Sequence, residues 1–217
     1  HALFSYDNTG EARALDLADP KYGYDGFGGF GVNASLQNMF PGYVPGQKPI
    51  PYPEGLGQIL PAGSDILMQV HYGPSPFPAE DSSTVNIFFK KEPVERQVQN
   101  FIFLPFDPLI TNGPFVMFPN TVRSFHCQFT TPLKISLFAI WPHAHLLNQD
   151  FEVYAINAAG DTTNLIRIPD WDFNWQEDCS YKERIRLPKG TRLDATVTYD
   201  NSEGNPRNPT HPPKRVK

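Results

Sequence analysis

One line of text occurs twice in this chain. Leu60-Pro61-Ala62-Gly63-Ser64-Asp65-Ile66-Leu67-Met68-Gln69-Val70-His71-Tyr72 and Leu187-Pro188-Lys189-Gly190-Thr191-Arg192-Leu193-Asp194-Ala195-Thr196-Val197-Thr198-Tyr199 share leucine, proline, glycine, a hydroxyl residue, an aliphatic, valine and tyrosine at the same offsets. Each copy reads as a turn feeding a strand, because proline and glycine punctuate the chain and apolar residues then recur with a period of two. In the first copy Ile66, Met68, Val70 and Tyr72 share one face, with Met68 expected in the core, and Leu67, Gln69 and His71 share the other. A turn and strand written twice predict two related β domains.

Composition agrees. The 217 residues fit two domains of about 100 residues each. The 23 prolines, 16 glycines and 17 phenylalanines work against long helices and favour strands and turns. The expected fold class is all-β, two antiparallel β-sandwich domains in tandem. Pro105-Phe106-Asp107-Pro108 and Thr111-Asn112-Gly113-Pro114 interrupt the pattern twice in close succession, which places the boundary between residues 1–108 and 109–217.

Further strands are expected at Ala2–Tyr6, Ser83–Lys90, Val98–Leu104, Val122–Phe129, Ile135–His145, Phe151–Ile156 and Asn164–Ile168. Glu11–Ala18 reads as one or two helical turns, Pro41–Pro61 as ordered loop, and Asn205–Pro213 as extended chain that proline keeps from being helix. Gly26-Phe27-Gly28-Gly29-Phe30-Gly31 has the glycine density of a phosphate cradle. No strand precedes it and no helix with a lysine follows, so it reads as a tight turn.

Eighteen basic against 23 acidic side chains give a net charge of -5, and basic residues cluster only in Lys214-Arg215-Val216-Lys217, which argues against a nucleic-acid partner. No apolar run approaches the ~20 residues that a membrane-spanning helix needs. Cys127 and Cys179 could form one disulfide or remain buried thiols.

The chemistry lies in the histidines. In Trp141-Pro142-His143-Ala144-His145 an extended backbone would present two imidazoles side by side, half of a metal site for an ion that prefers imidazole nitrogen, such as copper. The plain alternative is a pair of edge histidines bonded to water or carbonyls. His71 stands on the repeated strand in Gln69-Val70-His71-Tyr72. His126 reads as an ordinary half-exposed residue and His211 as a loop residue, and the aromatic run Trp171 to Trp175 reads as packing.

In this order the motifs resemble the copper type II, ascorbate-dependent monooxygenases, the family of peptidylglycine hydroxylase and dopamine β-hydroxylase. In that family a first domain holds one copper with three histidines, two adjacent and one in a Q-x-H-Y strand, and a second domain holds another with an H-x-H pair and a methionine. The resemblance covers essentially the whole chain, and Pro169-Asp170-Trp171-Asp172-Phe173-Asn174-Trp175 with Tyr199-Asp200-Asn201-Ser202 is most similar to a bacterial branch. It implies two nine-stranded jelly-roll sandwiches. It also implies metal ligands at His1 and His71 for the electron-entry copper, and at His143 and His145 for the copper where oxygen and substrate react, making the last two the catalytic pair. Two copper ions per full-length chain, ascorbate or another one-electron reductant, dioxygen and a small organic substrate follow from the same resemblance, with hydroxylation of a C–H bond as the reaction and a secreted or periplasmic location. Phe138, Ile140 and Trp141 are expected to keep the second site dry. None of Met39, Met68 and Met117 stands where the family's methionine should, and the expected chain is a fragment, with a histidine before His1 and the methionine beyond Lys217.

Two other functions fit parts of the text. A non-catalytic β-sandwich could retain the fold for binding or assembly. A histidine-brace polysaccharide monooxygenase would use His1 as its terminal clamp on copper.

Overall fold

A computed structural model describes residues 1–26, 29–32, 38–49 and 51–216. The expected glycine turn falls partly outside them, at Phe27 and Gly28. The fold is all-β with one short helix among the described residues, and the chain divides into two compact units, His1–Ile102 and Phe103–Lys217. The interrupted segment Pro105–Pro114 therefore belongs to the second unit.

In the first unit β1 (Ala2–Asp7) is followed by α1 (Glu11–Ala18), β2 (Phe40–Tyr43), β3 (Leu56–Gly57), β4 (Asp65–Val70) and β5 (Arg96–Gln97). β1 lies between β2 and β4, antiparallel to both, while β3 and β5 form a short parallel pair. Asp7 joins the first strand to the helix. Its carboxylate, 2% exposed, accepts hydrogen bonds from the Thr9 hydroxyl (2.6 Å), the Thr9 N–H (2.8 Å) and the Ala12 N–H (2.9 Å). Burial pushes this carboxyl up, but the bonds from Thr9, Ala12 and Gly10 outweigh it and hold it below the usual value. Ala12, Phe30 and Leu67 form the small core of this unit, with Leu3, Tyr24, Val32 and Met39 packed against it.

The β4 faces come out reversed from the sequence reading. Leu67 is buried, whereas Ile66 and Met68 are 39% and 43% exposed and Tyr72 is exposed beyond the strand end, so Met68 is not a core residue. The helix and the glycine-bearing loop cover the Leu67 face and leave the other uncovered. Gln69 fastens that loop, donating from Nε2 to the carbonyls of Gly26 (3.1 Å) and Gly29 (2.6 Å).

Ser83–Lys90 and Val98–Leu104 are not strands. Val85, Ile87 and Phe89 alternate as strand residues would, yet all three are exposed and lie in a stretch with no backbone ladder. Pattern alone does not make a strand. The backbone N–H and C=O groups must find a neighbouring strand as well.

The second unit holds β6 (Val122–Thr130), β7 (Ile135–Ile140), β8 (Asn148–Ile156), β9 (Thr162–Ile168), β10 (Cys179–Leu187) and β11 (Arg192–Asp200). They form a four-stranded sheet in the order β6-β11-β8-β9 and a two-stranded sheet of β10 with β7. Register builds the core. Val197 lies opposite Phe125 on one side and Phe151 on the other, and Ala195 opposite Cys127 and Val153, so alternate residues of three strands form one apolar layer. Leu187, Ile135, Leu137, Ile140 and Ile185 from the smaller sheet pack on the same core, sandwich fashion. Burial pushes the Tyr199 phenol in this layer up to about 12. Among the described residues the two units hold five and six strands, fewer than the nine per domain that the resemblance implies.

The repeated text makes the same turn in both places. Ser64 N–H donates to the Pro61 carbonyl (3.3 Å) and Thr191 N–H to that of Pro188 (3.2 Å), with Gly63 and Gly190 at φ 78° and 84°. Beyond the turn the copies diverge, since β4 pairs on one edge and β11 on both.

The C-terminal segment is held without secondary structure. Asn201, fully buried, donates from Nδ2 to the carbonyls of Phe118 (3.1 Å) and Lys214 (2.8 Å) and accepts from the Asn208 amide (3.0 Å). Met117 and Val216 then exchange both backbone bonds, and Met117, 3% exposed, belongs to the core of this unit with Val216 packed against it.

Candidate metal centre

β7 ends at Ile140, so His143 and His145 stand just past the strand rather than on it. Pro142 has no N–H to continue the ladder. The alternation nevertheless persists, with Pro142 and Ala144 buried and His143 and His145 exposed. The two inward residues anchor the segment, and a turn in which the Asn148 N–H donates to the His145 carbonyl (3.0 Å) closes it. As expected from their spacing, the imidazoles are neighbours. Their ring centroids are 5.2 Å apart at 89°.

A residue that sequence reasoning passed over completes this arrangement. Gln176, 1% exposed, approaches His143 with Oε1 at 2.6 Å from Nδ1, donates from Nε2 to the Phe173 carbonyl (2.7 Å), and accepts at its own backbone carbonyl from the Trp141 indole (2.9 Å). It belongs to the aromatic stretch after β9, whose members split three ways. Trp171 is buried in the core at 1%, Phe173 stands with its ring 6.4 Å from that of His145, and Trp175 is 67% exposed. In the sequence it is one amide at the end of an aromatic loop with nothing to mark it, and only the fold brings it to the H-x-H pair.

In the first unit His1 and His71 are opposite one another at the open end of the β1–β4 ladder. The His71 N–H donates to the His1 carbonyl (2.8 Å), and the His1 backbone nitrogen donates to the His71 carbonyl (3.1 Å). The rings are 6.4 Å apart at 53°. The sequence-predicted partners are thus brought together as two pairs, one in each unit.

Both pairs can be measured against what an ion requires. Imidazole nitrogen binds first-row metal ions at about 2.0–2.1 Å, so a ring centroid lies about 3.2 Å from the ion and two rings sharing it lie at most about 6.4 Å apart. His143 and His145 fall well inside that limit, and His1 with His71 sits on it, where the ion would have to lie in line between the rings. Among the described residues no group of three or more His, Cys, Asp or Glu side chains is placed to hold a metal ion. The donor set is imidazole alone, which suits copper better than it suits hard cations. The expected shielding by Phe138, Ile140 and Trp141 does not cover the pair: both imidazoles of the second unit are exposed, and Ile140 packs into the core.

The remaining candidates are structural. His126 is exposed on β6 and bonds through Nδ1 to the Thr196 hydroxyl (3.0 Å), and His211 lies exposed in the C-terminal segment. The two cysteines are separate free thiols, Cys127 buried and Cys179 exposed. Burial raises both, with Asp178 and Glu177 adding to the effect at Cys179, so neither is poised as a thiolate ligand. Among the described residues no helix is long and apolar enough to cross a membrane. No protein-family model matches the chain, and no curated protein matches it.

Proposed function

We propose that this chain is part of a copper-dependent monooxygenase that hydroxylates a C–H bond of a small organic substrate with dioxygen and a one-electron reductant such as ascorbate, acting in a secreted or periplasmic setting. The observation that carries this reading is the His143–His145 pair, set 5.2 Å apart with one ring held by a buried amide. Solvated edge histidines have no need of such a holder. Copper, when bound, supplies one-electron chemistry with dioxygen, and the residues of the chain do the rest. His143 and His145 would hold one ion, and His1 and His71 would hold the second. Phe173 offers flat apolar surface next to His145, where a substrate can lie against the reacting centre. The two tandem units would each contribute one half of a jelly-roll pair.

Metal analysis after reconstitution with copper, followed by ascorbate-driven oxygen uptake over a panel of small substrates, tests the reading. Copper uptake that depends on His143 together with substrate-coupled oxygen uptake supports it. Copper uptake without any coupled turnover, in a chain extended on both sides, favours a binding or assembly role for the same fold.

A further inference from the structure

We propose that Gln176 is a positioning residue that decides through which nitrogen His143 takes a metal ion. The argument starts from the amide. A side-chain amide has one face that only accepts and one that only donates, and a buried one must satisfy both. The Phe173 carbonyl, 2.7 Å from Nε2, can only accept, so the NH₂ group must face it. Oε1 is then turned to His143, and at 2.6 Å the ring nitrogen facing it has to be the donor. Nδ1 therefore carries the proton. In the neutral ring the lone pair resides on Nε2, the nitrogen further from the backbone, and that is the atom offered to an ion.

The amide is itself fixed from a third direction. Because the Trp141 indole donates to the Gln176 backbone carbonyl, the residue is tied to the histidine segment at two points, two residues apart on that segment. Neutral imidazole in water prefers the proton on Nε2, the reverse of what Gln176 imposes. The contact thus selects the minor tautomer, and a side chain of the same length without an oxygen would release it. Outer partners of this kind typically contribute 10–100-fold to metal affinity.

The tautomer stands independently of the copper reading, whereas the consequence for affinity rests on it, and the experiment separates the two. Histidine-selective ¹⁵N labelling of the metal-free chain is combined with long-range ¹⁵N–¹H correlation at a pH where the rings are neutral, on the native chain and on Gln176→Met. The native chain is expected to show His143 protonated at Nδ1, and the variant is expected to show it protonated mainly at Nε2, with the His126 pattern unchanged as internal control. Copper titration of the same samples should give roughly 10–100-fold weaker binding in the variant. His143 protonated at Nε2 in the native chain, or a tautomer unaffected by Gln176→Met, overturns the proposal. A tautomer switch with no copper bound by either protein upholds the positioning role and overturns the copper reading.

Discussion

His143 Nδ1 lies 2.6 Å from Oε1 of Gln176, a residue 33 positions further along the chain. The contact joins the end of β7 to the loop before β10, two strands that pair in the small sheet with Cys179 opposite Ile140. Strand pairing therefore brings the histidine segment and its holder to the same end of the sheet, and local turns do the fine placement. Asn174 N–H bonds to the Asp172 carboxylate (2.9 Å) and Trp175 N–H to the Asp172 carbonyl (3.0 Å), which turns the chain so that Gln176 points inward and Trp175 outward.

The core of the second unit rests on Phe125, 1% exposed, whose ring centroid lies 4.7 Å from that of Phe115 and 5.9 Å from that of Tyr199. Phe125→Ala is expected to cost about 3–5 kcal/mol, as lost burial plus an unfilled cavity. Urea unfolding monitored by the tryptophans, all three of which lie in this unit, measures it.

Asp7 makes the first unit acid-sensitive. Its folded-state carboxyl is held below the ordinary value of 3.8, so its contribution is complete above the unfolded pKa and is lost as pH falls through the lower folded one. Asp7→Asn should lower stability at neutral pH and flatten the decline below about pH 4. Thermal unfolding of both proteins between neutral pH and the acid limb is the check.

The repeated turn carries its own test. Gly63 and Gly190 adopt left-handed conformations with nothing within 4 Å of a built Cβ, so alanine at either position meets no clash and costs only backbone strain. Each substitution should destabilise its unit by about 1–2 kcal/mol, and the two costs should be similar. Unequal costs would mean that the shared text does not encode a shared turn.

Asn201 latches the C-terminal segment. Asn201→Ala removes donors to two carbonyls and the acceptor used by Asn208, and each buried group left unpaired costs about 1–3 kcal/mol. Amide exchange should accelerate first at Met117 and Val216, whose reciprocal backbone bonds depend on the segment staying in place.

How far the sequence could be read depended on how local the deciding interactions are. The turn at Gly190, the alternation along β11 and the neighbouring placement of His143 and His145 are all short-range, and the residues themselves announce them. Ser83–Lys90 has the same alternation and fails as a strand, because a strand also needs a partner and no local pattern supplies one. Ile66, Met68, Val70 and Tyr72 read as the core face of β4 because they are apolar and lie opposite Gln69 and His71, but what decides is which face α1 and the glycine loop cover, and that is the face of Leu67. Gln176 was invisible for a related reason. Nothing about a glutamine in an aromatic loop signals its purpose until strand pairing sets it beside a histidine.

Copper stoichiometry after reconstitution and desalting, on the native chain and on His143→Ala, His145→Ala and His71→Ala made separately, tests the central claim most directly. The account predicts that His143→Ala and His145→Ala remove the same copper and that His71→Ala removes a different one, with His126→Ala leaving both in place. Copper content unchanged by His143→Ala and by His71→Ala would contradict it.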